Sequence, residues 1–252
     1  NDHLIFLQSY DISTLYATKI YEFFGQDCIA KIRLNPYELT QIENIGFKYA
    51  DRIALSLGFE KDCKERISAG IKFILSESEN NEGHCFLYHH QILQKSIDIL
   101  GVAIEDKIDE ILQLLIDNNE IKLSTLNDEK RYYSNDIYYA ERSVANRIDI
   151  IKNTPGIAIN ENIVREWEEE LKNEEIQLSD EQKNAILGIV YEKVSVLTGG
   201  AGVGKTTVVK SLVKLLEKLK ISFELCSPTG RASKRLQEVT GYSASTIHRL
   251  LQ

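Results

Sequence analysis

Eight consecutive residues, Gly199-Gly200-Ala201-Gly202-Val203-Gly204-Lys205-Thr206, fit the spacing G-x-x-x-x-G-K-[ST]. Their types suit the binding of a nucleoside triphosphate. Glycines let the backbone turn its N–H groups inward around phosphates, and the N-terminus of a following helix adds a favourable dipole. A lysine at position 205 reaches the β- and γ-phosphates, and the Thr206 hydroxyl can ligate Mg²⁺. A plain glycine-rich turn would share the composition. The full spacing with correct flanks on both sides favours the phosphate cradle.

Those flanks are the elements that must position the loop. Val194-Ser195-Val196-Leu197 is short, apolar and β-branched, which predicts a buried strand. Val208, Val209, Leu212, Val213, Leu215, Leu216 and Leu219 recur at helical spacing with lysines between them. Upstream, "LSDEQKNAI" (Leu178 to Ile186) reads as a capping box opening a helix, Ser179 with Gln182. It also reads as a glutamine whose amide meets the edge of adenine, and one residue can serve both ends. Downstream, Ile221 to Cys226 reads as a strand that ends in Ser227-Pro228-Thr229-Gly230, before a helix bearing Arg231, Lys234 and Arg235. "STIHRLL" (Ser245 to Leu251) repeats that layout. Hydroxyls, backbone N–H groups and cations after a parallel strand suit a phosphodiester backbone, although a solvated basic helix looks the same.

Composition sets the frame. The 252 residues are 43% hydrophobic and 27% charged, with a formal net charge of −8, which fits a soluble chain of about two domains. The charge is uneven. Residues 178–252 carry eleven Lys/Arg against six Asp/Glu, or +5, which leaves −13 for residues 1–177. The acid concentrates in "EDKIDE" (Glu105 to Glu110) and "REWEEELKNEE" (Arg165 to Glu175), both read as solvated helix faces. No secretory signal or membrane span is visible. Four scattered cysteines without a C-x-x-C pair predict free thiols and a cytoplasmic setting. There is no methionine and the first residue is asparagine, as expected of a piece of a longer protein.

The front half carries a repeat. "ISTLYATKI" (Ile12 to Ile20) aligns with "IGFKYADRI" (Ile45 to Ile53) at an offset of 33 residues. The second copy resembles a helix-hairpin-helix motif, whose tight turn presents backbone N–H groups to a DNA phosphate; an ordinary helical hairpin would share the pattern. Gly46 is expected to let the chain turn, with Lys48 beside it, and Asn44 tolerates left-handed geometry. Ser13 replaces Gly46 in the first copy, which is therefore expected to pack rather than grip. Beyond it, Ile104, Ile108, Ile111, Leu112 and Leu115 form a helical stripe ended by Asn118-Asn119. "EIKLS" and "RYYSNDIYY" read as strands around "LNDEK". Helices followed by a hairpin suggest a winged-helix-like unit. His84, Cys85, His89 and His90 lack the paired spacing of a zinc site. Pro155-Gly156 marks a boundary, placed between about 153 and 177.

In order, "LSDEQKNAI", "LTGGAGVGKTT", "SPTGRASKRL" and "STIHRLL" resemble the opening motifs of superfamily 1 DNA helicases of the RecD/TraA type. "NPYELTQIENIGFKYADRIA", "RISAGIKFIL" and "EGHCFL" resemble the RecD-like subgroup with an N-terminal extension. The resemblance implies an α/β P-loop (RecA-like) motor domain, incomplete here, after a mainly α region. Tandem helix-hairpin-helices would occupy 1–80, a winged-helix-like region 81–152, a linker and acidic helix 153–177, and the first part of the motor 178–252. It further implies a 5′-to-3′ motor that uses ATP and Mg²⁺ to move on single-stranded DNA in repair or recombination. Gln182 would hold adenine. Gly200, Ala201, Gly202, Val203, Gly204, Lys205, Thr206 and Thr207 would hold phosphates and Mg²⁺, with Lys205 and Thr206 taking part in catalysis. Pro228, Thr229 and Arg231 would hold the DNA strand, and Gly46 and Lys48 duplex DNA. Ala201 stands where the family loop commonly has proline. No protein partner is implied. The chain stops before any D-E-x-x motif, arginine finger or second motor lobe, so little turnover is expected of it alone. The rival reading is an ATP-switched DNA-binding regulator or loader, which the residues beyond Gln252 would separate from a motor.

Overall fold

The computed structural model describes every residue except Asn1, Asp11 and Ala201, and no side chain at positions 2–4. Two compact units result, Asn1–Ser143 and Val144–Gln252. No described helix is long and apolar enough to cross a membrane.

The first unit opens with α1 (Asp2–Gln8), α2 (Thr14–Phe24), α3 (Cys28–Leu34), a 3-10 turn at Pro36–Gln41, α4 (Phe47–Ser56) and α5 (Lys64–Glu77). The sequence repeat is a structural one. Both α2 and α4 start directly after the matched N-cap positions, Ser13 and Gly46. Ile12 and Ile45, Ala17 and Ala50, and Ile20 and Ile53 are buried in both copies. The equivalent tyrosines meet, with Tyr16 and Tyr49 ring centroids 4.8 Å apart. Contact between matched positions of two copies is the signature of a two-fold arrangement.

The turn before α4 corrects one expectation. Gly46 has φ −87° and ψ 171°, extended backbone open to any residue. The left-handed residue is Asn44, at φ 69°. Gly46 differs from Ser13 in another way. The Ser13 side chain accepts from the Tyr16 N–H at 3.4 Å, whereas Gly46 has no side chain to cap α4. The Tyr49 N–H donates to the Gly46 carbonyl at 3.1 Å, which leaves the Phe47 and Lys48 N–H groups as the first-turn donors without a helical partner. Gly46 and Lys48 are both exposed there.

The unit continues with β1 (Leu87–Tyr88), α6 (His89–Leu100), α7 (Ile108–Asp117), β2 (Ile121–Leu126), β3 (Glu129–Ser134) and α8 (Asn135–Lys152), which runs into the second unit. The three strands form an antiparallel sheet in the order β1-β3-β2. Asn127 and Asp128, at φ 50° and 64°, make the two-residue left-handed turn that suits a twisted hairpin. On α7, Ile108, Ile111, Leu112 and Leu115 are buried, as their spacing predicts.

One core runs from Leu7 to Tyr132 across the expected division at 80/81. The reason is α5, which packs on α4 as well as on α6 and α7. Its Arg66 fastens the junction. The guanidinium donates to both Asp51 oxygens at 2.8 and 2.9 Å and to the carbonyls of Lys61 and Leu100. The Tyr37 hydroxyl donates to Asp51 at 2.7 Å, and burial together with this carboxylate raises the phenol's pKa.

The second unit contains α9 (Glu161–Asn173), α10 (Asp180–Tyr191), α11 (Lys205–Lys218), β4 (Leu225–Ser227), α12 (Gly230–Thr240), β5 (Ala244–Thr246) and α13 (Ile247–Leu250). Strands β4 and β5 pair in parallel. The predicted strand at Val194–Leu197 is not formed. Val196 is 84% exposed and no described strand pairs with this stretch; without a ladder or a cover, β-propensity alone does not hold a strand. The strand expected over Ile221–Cys226 is confined to Leu225–Ser227, the length that β5 pairs. The two units divide within α8, before the boundary expected at 153–177.

Arg66→Ala leaves the nearly buried Asp51 carboxylate, 14% exposed, without its cation. A loss of about 3–5 kcal/mol is expected in urea unfolding followed by circular dichroism, and Asp51→Leu combined with Arg66→Met should recover most of it. A loss below about 1 kcal/mol, the size of an exposed pair, would remove this network as the fastening. Asn44→Val, forced into left-handed geometry, should cost about 1–2 kcal/mol. Gly46→Ala should change the thermal midpoint little, because a Cβ there meets nothing within 4 Å. The reverse order of these two effects would restore Gly46 as the turning residue.

Candidate nucleotide and nucleic-acid site

The glycine loop has the geometry that its residue types suggest. Gly202 and Gly204 both sit at φ 79°, left-handed, and Gly204 is the N-cap of α11. A Cβ on Gly204 would lie 2.8 Å from Gln182 Nε2, and one on Gly199 would lie 2.7 Å from the Val203 side chain. Gly200 meets no such neighbour. Ala201 lies outside the described residues. Lys205, Thr206 and Thr207 form the first turn of α11, where backbone N–H groups lack helical partners. Thr206 is exposed. The Lys205 ammonium donates to the Gly199 carbonyl at 2.6 Å and also to that of Gly200. It therefore lies over the loop, on the loop's own carbonyls.

Gln182 is brought to the same place. Its Oε1 accepts from the Ser179 N–H at 3.0 Å, while the Ser179 hydroxyl accepts from the Gln182 N–H at 3.2 Å. The capping box is thus formed. Gln182 Nε2 donates to the Val203 carbonyl at 3.2 Å, so the side chain bridges a helix start and the loop. Both amide atoms are engaged by backbone. A base edge would have to displace at least one of these contacts. Ser179, Glu181, Gln182, Gly199, Val203 and Lys205 line one cavity of about 350 Å³, closed on its apolar side by Leu197 and Val208.

Helix α11 is held by charges on α9 as well as by apolar packing. The acidic stretch on α9 is not merely a solvated face. Lys214 on α11 pairs with Glu174 at 2.6 Å and Glu170 at 3.2 Å, and Lys218 pairs with Glu170 at 2.8 Å. Lys210 lies 3.6 Å from Glu174. Hydrogen bonds from Lys218 and Lys214 hold the Glu170 and Glu174 carboxyls below the usual glutamate range. Beneath this clasp, Trp167 is fully buried and its indole N–H donates to the Ser211 carbonyl at 2.9 Å. The signal was available: acids on one helix and lysines at positions 210, 214 and 218 of another share a three-to-four-residue period.

Downstream, Thr229 is the N-cap of α12 and its hydroxyl accepts from the Ala232 N–H at 3.3 Å. Thr246 caps α13 in the same way through Arg249 N at 3.2 Å. Ser227 and Thr246 are in register across the two parallel strands, so both strand ends feed a capped helix side by side. Pro228, Arg231, Lys234 and Arg235 are exposed. Thr229, Arg231, Lys234 and Arg235 border one depression, with Glu238 as its acid. Lys234 and Arg249 border its neighbour with Thr246. Arg249 was not singled out in the sequence. The histidines separate: His84 faces Glu82 at 3.2 Å, His89 meets Asp109 at 2.7 Å and His90 stacks on Tyr88. Among the described residues no His/Cys/Asp/Glu group is arranged to hold a metal.

Comparison with known proteins agrees with this order of parts. Residues 1–86 match the family described as the ATP-dependent RecD2 DNA helicase HHH domain, and residues 182–252 match an AAA domain. The chain is 30% identical to the ATP-dependent RecD2 DNA helicase of Deinococcus radiodurans over 97% of its own length and 35% of that protein. It is 40% identical over 68 residues to the RecBCD enzyme subunit RecD of Haemophilus influenzae, covering 26% of this chain and 11% of that one. The corresponding subunit of Mycolicibacterium smegmatis is 37% identical over 95 residues, 29% of this chain and 17% of that one. The chain thus spans about a third of the longest-matching of these relatives. With a RecD2-type helix-hairpin-helix match ahead of an AAA-domain match, the chain has the order of parts of the RecD-like DNA helicases.

Proposed function

We propose that this chain is the N-terminal and early motor part of an ATP-dependent helicase that moves 5′ to 3′ along single-stranded DNA in repair or recombination. The observation that carries the reading is the convergence of Lys205, Gly199 and Gln182 on one cavity at the start of α11, next to the left-handed turn at Gly202 and Gly204. An ammonium, the N–H groups of a helix start and an exposed hydroxyl are the donor set that a triphosphate with Mg²⁺ requires. Lys205, now on the Gly199 and Gly200 carbonyls, would hold phosphate oxygens, the Thr206 hydroxyl would hold the metal, and Gln182, now on the Val203 carbonyl, would hold the base. When bound, Mg²⁺ neutralises charge on the phosphates.

The strand path in this reading follows Pro228, Thr229 and Arg231 along the exposed start of α12. Here Thr229 caps the helix and Arg231 meets a phosphate. The N-terminal region adds duplex contacts at Gly46 and Lys48, supported by the uncapped start of α4. The order α5, β1, α6, α7, β2, β3 with sheet order β1-β3-β2 supports a winged-helix-like unit following the hairpins.

This 252-residue chain is expected to bind Mg·ATP weakly and to hydrolyse it hardly at all. No arginine lines the cavity, and an arginine on the developing charge is worth about 10³–10⁵ in rate. Lys205→Ala should abolish binding in titration calorimetry. DNA-stimulated phosphate release by this chain at helicase-like rates would overturn the placement of its catalytic groups. For the strand path, Arg231→Ala should weaken binding to all single-stranded sequences and lower the salt slope by about 0.7. An unchanged slope would take Arg231 out of the path.

A further inference from the structure

We propose that the outward face of the three-stranded sheet in the first unit is a stacking surface for single-stranded nucleic acid. It rests on the helicase reading only in that such a protein works beside unpaired strands. The register defines the face. Leu87 and Tyr132 are paired and both buried in the core. Their neighbours Tyr88 and Arg131, also paired, must point the other way. Lys122 and Ser124 on β2, opposite Tyr133 and Arg131, share that outward face.

Six rings form one chain along it: Phe86, Tyr88 and Tyr133 from the strands and their edge, His90 from the start of α6, and Tyr138 and Tyr139 from the start of α8. His90 stacks on Tyr88 at 5.8 Å with planes 9° apart, and Tyr88 meets Phe86 at 5.2 Å. Phe86 meets Tyr133, Tyr133 meets Tyr138 and Tyr138 meets Tyr139, each at 5.4 Å. Three cations lie over these rings: Arg131 over Phe86 at 4.7 Å, Arg142 over Tyr138 at 5.4 Å and Lys122 over Tyr139 at 5.4 Å. Only Tyr133 is buried; Tyr139 is 57% exposed and His90 is exposed. Arg131 Nε is buried without a hydrogen-bond partner.

Rings on the open face of a sheet, with cations between them, offer unpaired bases a π-surface and phosphates a counter-charge. Charge favours this occupant by a small margin: Arg131, Arg142 and Lys122 lie on the rings, against Glu129 paired with Arg131 at 4.0 Å and Glu141 beside Tyr133. A duplex does not fit, because its bases are already stacked inside it.

The test uses the full 252-residue chain and fluorescence anisotropy with a labelled oligo-dT and an abasic strand of equal length. Tyr139→Ala and His90→Ala remove exposed rings, so their thermal midpoints should hold. Each should weaken oligo-dT binding by about fivefold or more and leave the abasic strand unaffected, while Tyr139→Trp should restore affinity. Unchanged oligo-dT affinity in both alanine variants, as for a face that serves a protein partner, would overturn the proposal. Equal losses on the abasic strand would overturn it too, since stacking would not be involved. Arg231→Ala, run in parallel, separates this face from the motor path. A loss there with none at Tyr139 rejects the face alone, and the opposite result rejects only the path.

Discussion

A loop that turns its backbone N–H groups toward one point has little to hold it except the helix it starts. Here that helix, α11, is fixed on its buried side by Trp167, whose ring is fully enclosed and whose indole N–H is satisfied by the Ser211 carbonyl. A buried indole needs such a partner, and finding it on the backbone of α11 ties α9 to that helix in position as well as in area. Ile186 and Val190 of α10 complete the same cluster with Val208 and Leu215. The loop is then held from both ends. Gly204 joins it to α11, and Gln182 joins it to the cap of α10.

The two units are fastened by different chemistry. In the first, one nearly buried guanidinium satisfies a carboxylate and two carbonyls from separate segments. In the second, lysines on α11 meet glutamates on α9 near the surface. A buried pair is costly to break but close to neutral against a well-packed apolar pair. Exposed pairs contribute about 0–1 kcal/mol each and weaken with salt. The clasp on α9 therefore adjusts the orientation of α11, and the apolar cluster with Trp167 supplies its stability.

Periodicity and capping carried the sequence a long way. The stripe on α7, the helix after the loop, the Ser179–Gln182 box and the repeat at offset 33 are all local patterns, and local patterns survive folding. Gly46 shows where that reasoning stops. Glycine is permissive, so its presence does not say which residue of a turn uses the left-handed region, and Asn44 took it. Val194–Leu197 shows another limit. A strand needs a partner for its backbone, and a run of β-branched residues does not contain one. The acidic stretch is largely exposed, as its charge predicts, but read by itself it leaves out the lysines that answer it some forty residues along the chain; only the shared period links the two.

The parallel pair of β4 and β5 has a practical side. Only three residues of each strand are paired, and among the described residues each strand has one neighbour, so each presents an outer row of N–H and C=O groups. Parallel strands are normally enclosed on both faces and continued by further strands. Open edges of this kind template association with other chains, and Val196 and Leu251, 84% and 80% exposed, add apolar surface. Each outer row is therefore a place where one more strand can be laid, and the parallel register of β4 on β5 gives the direction that continues the sheet.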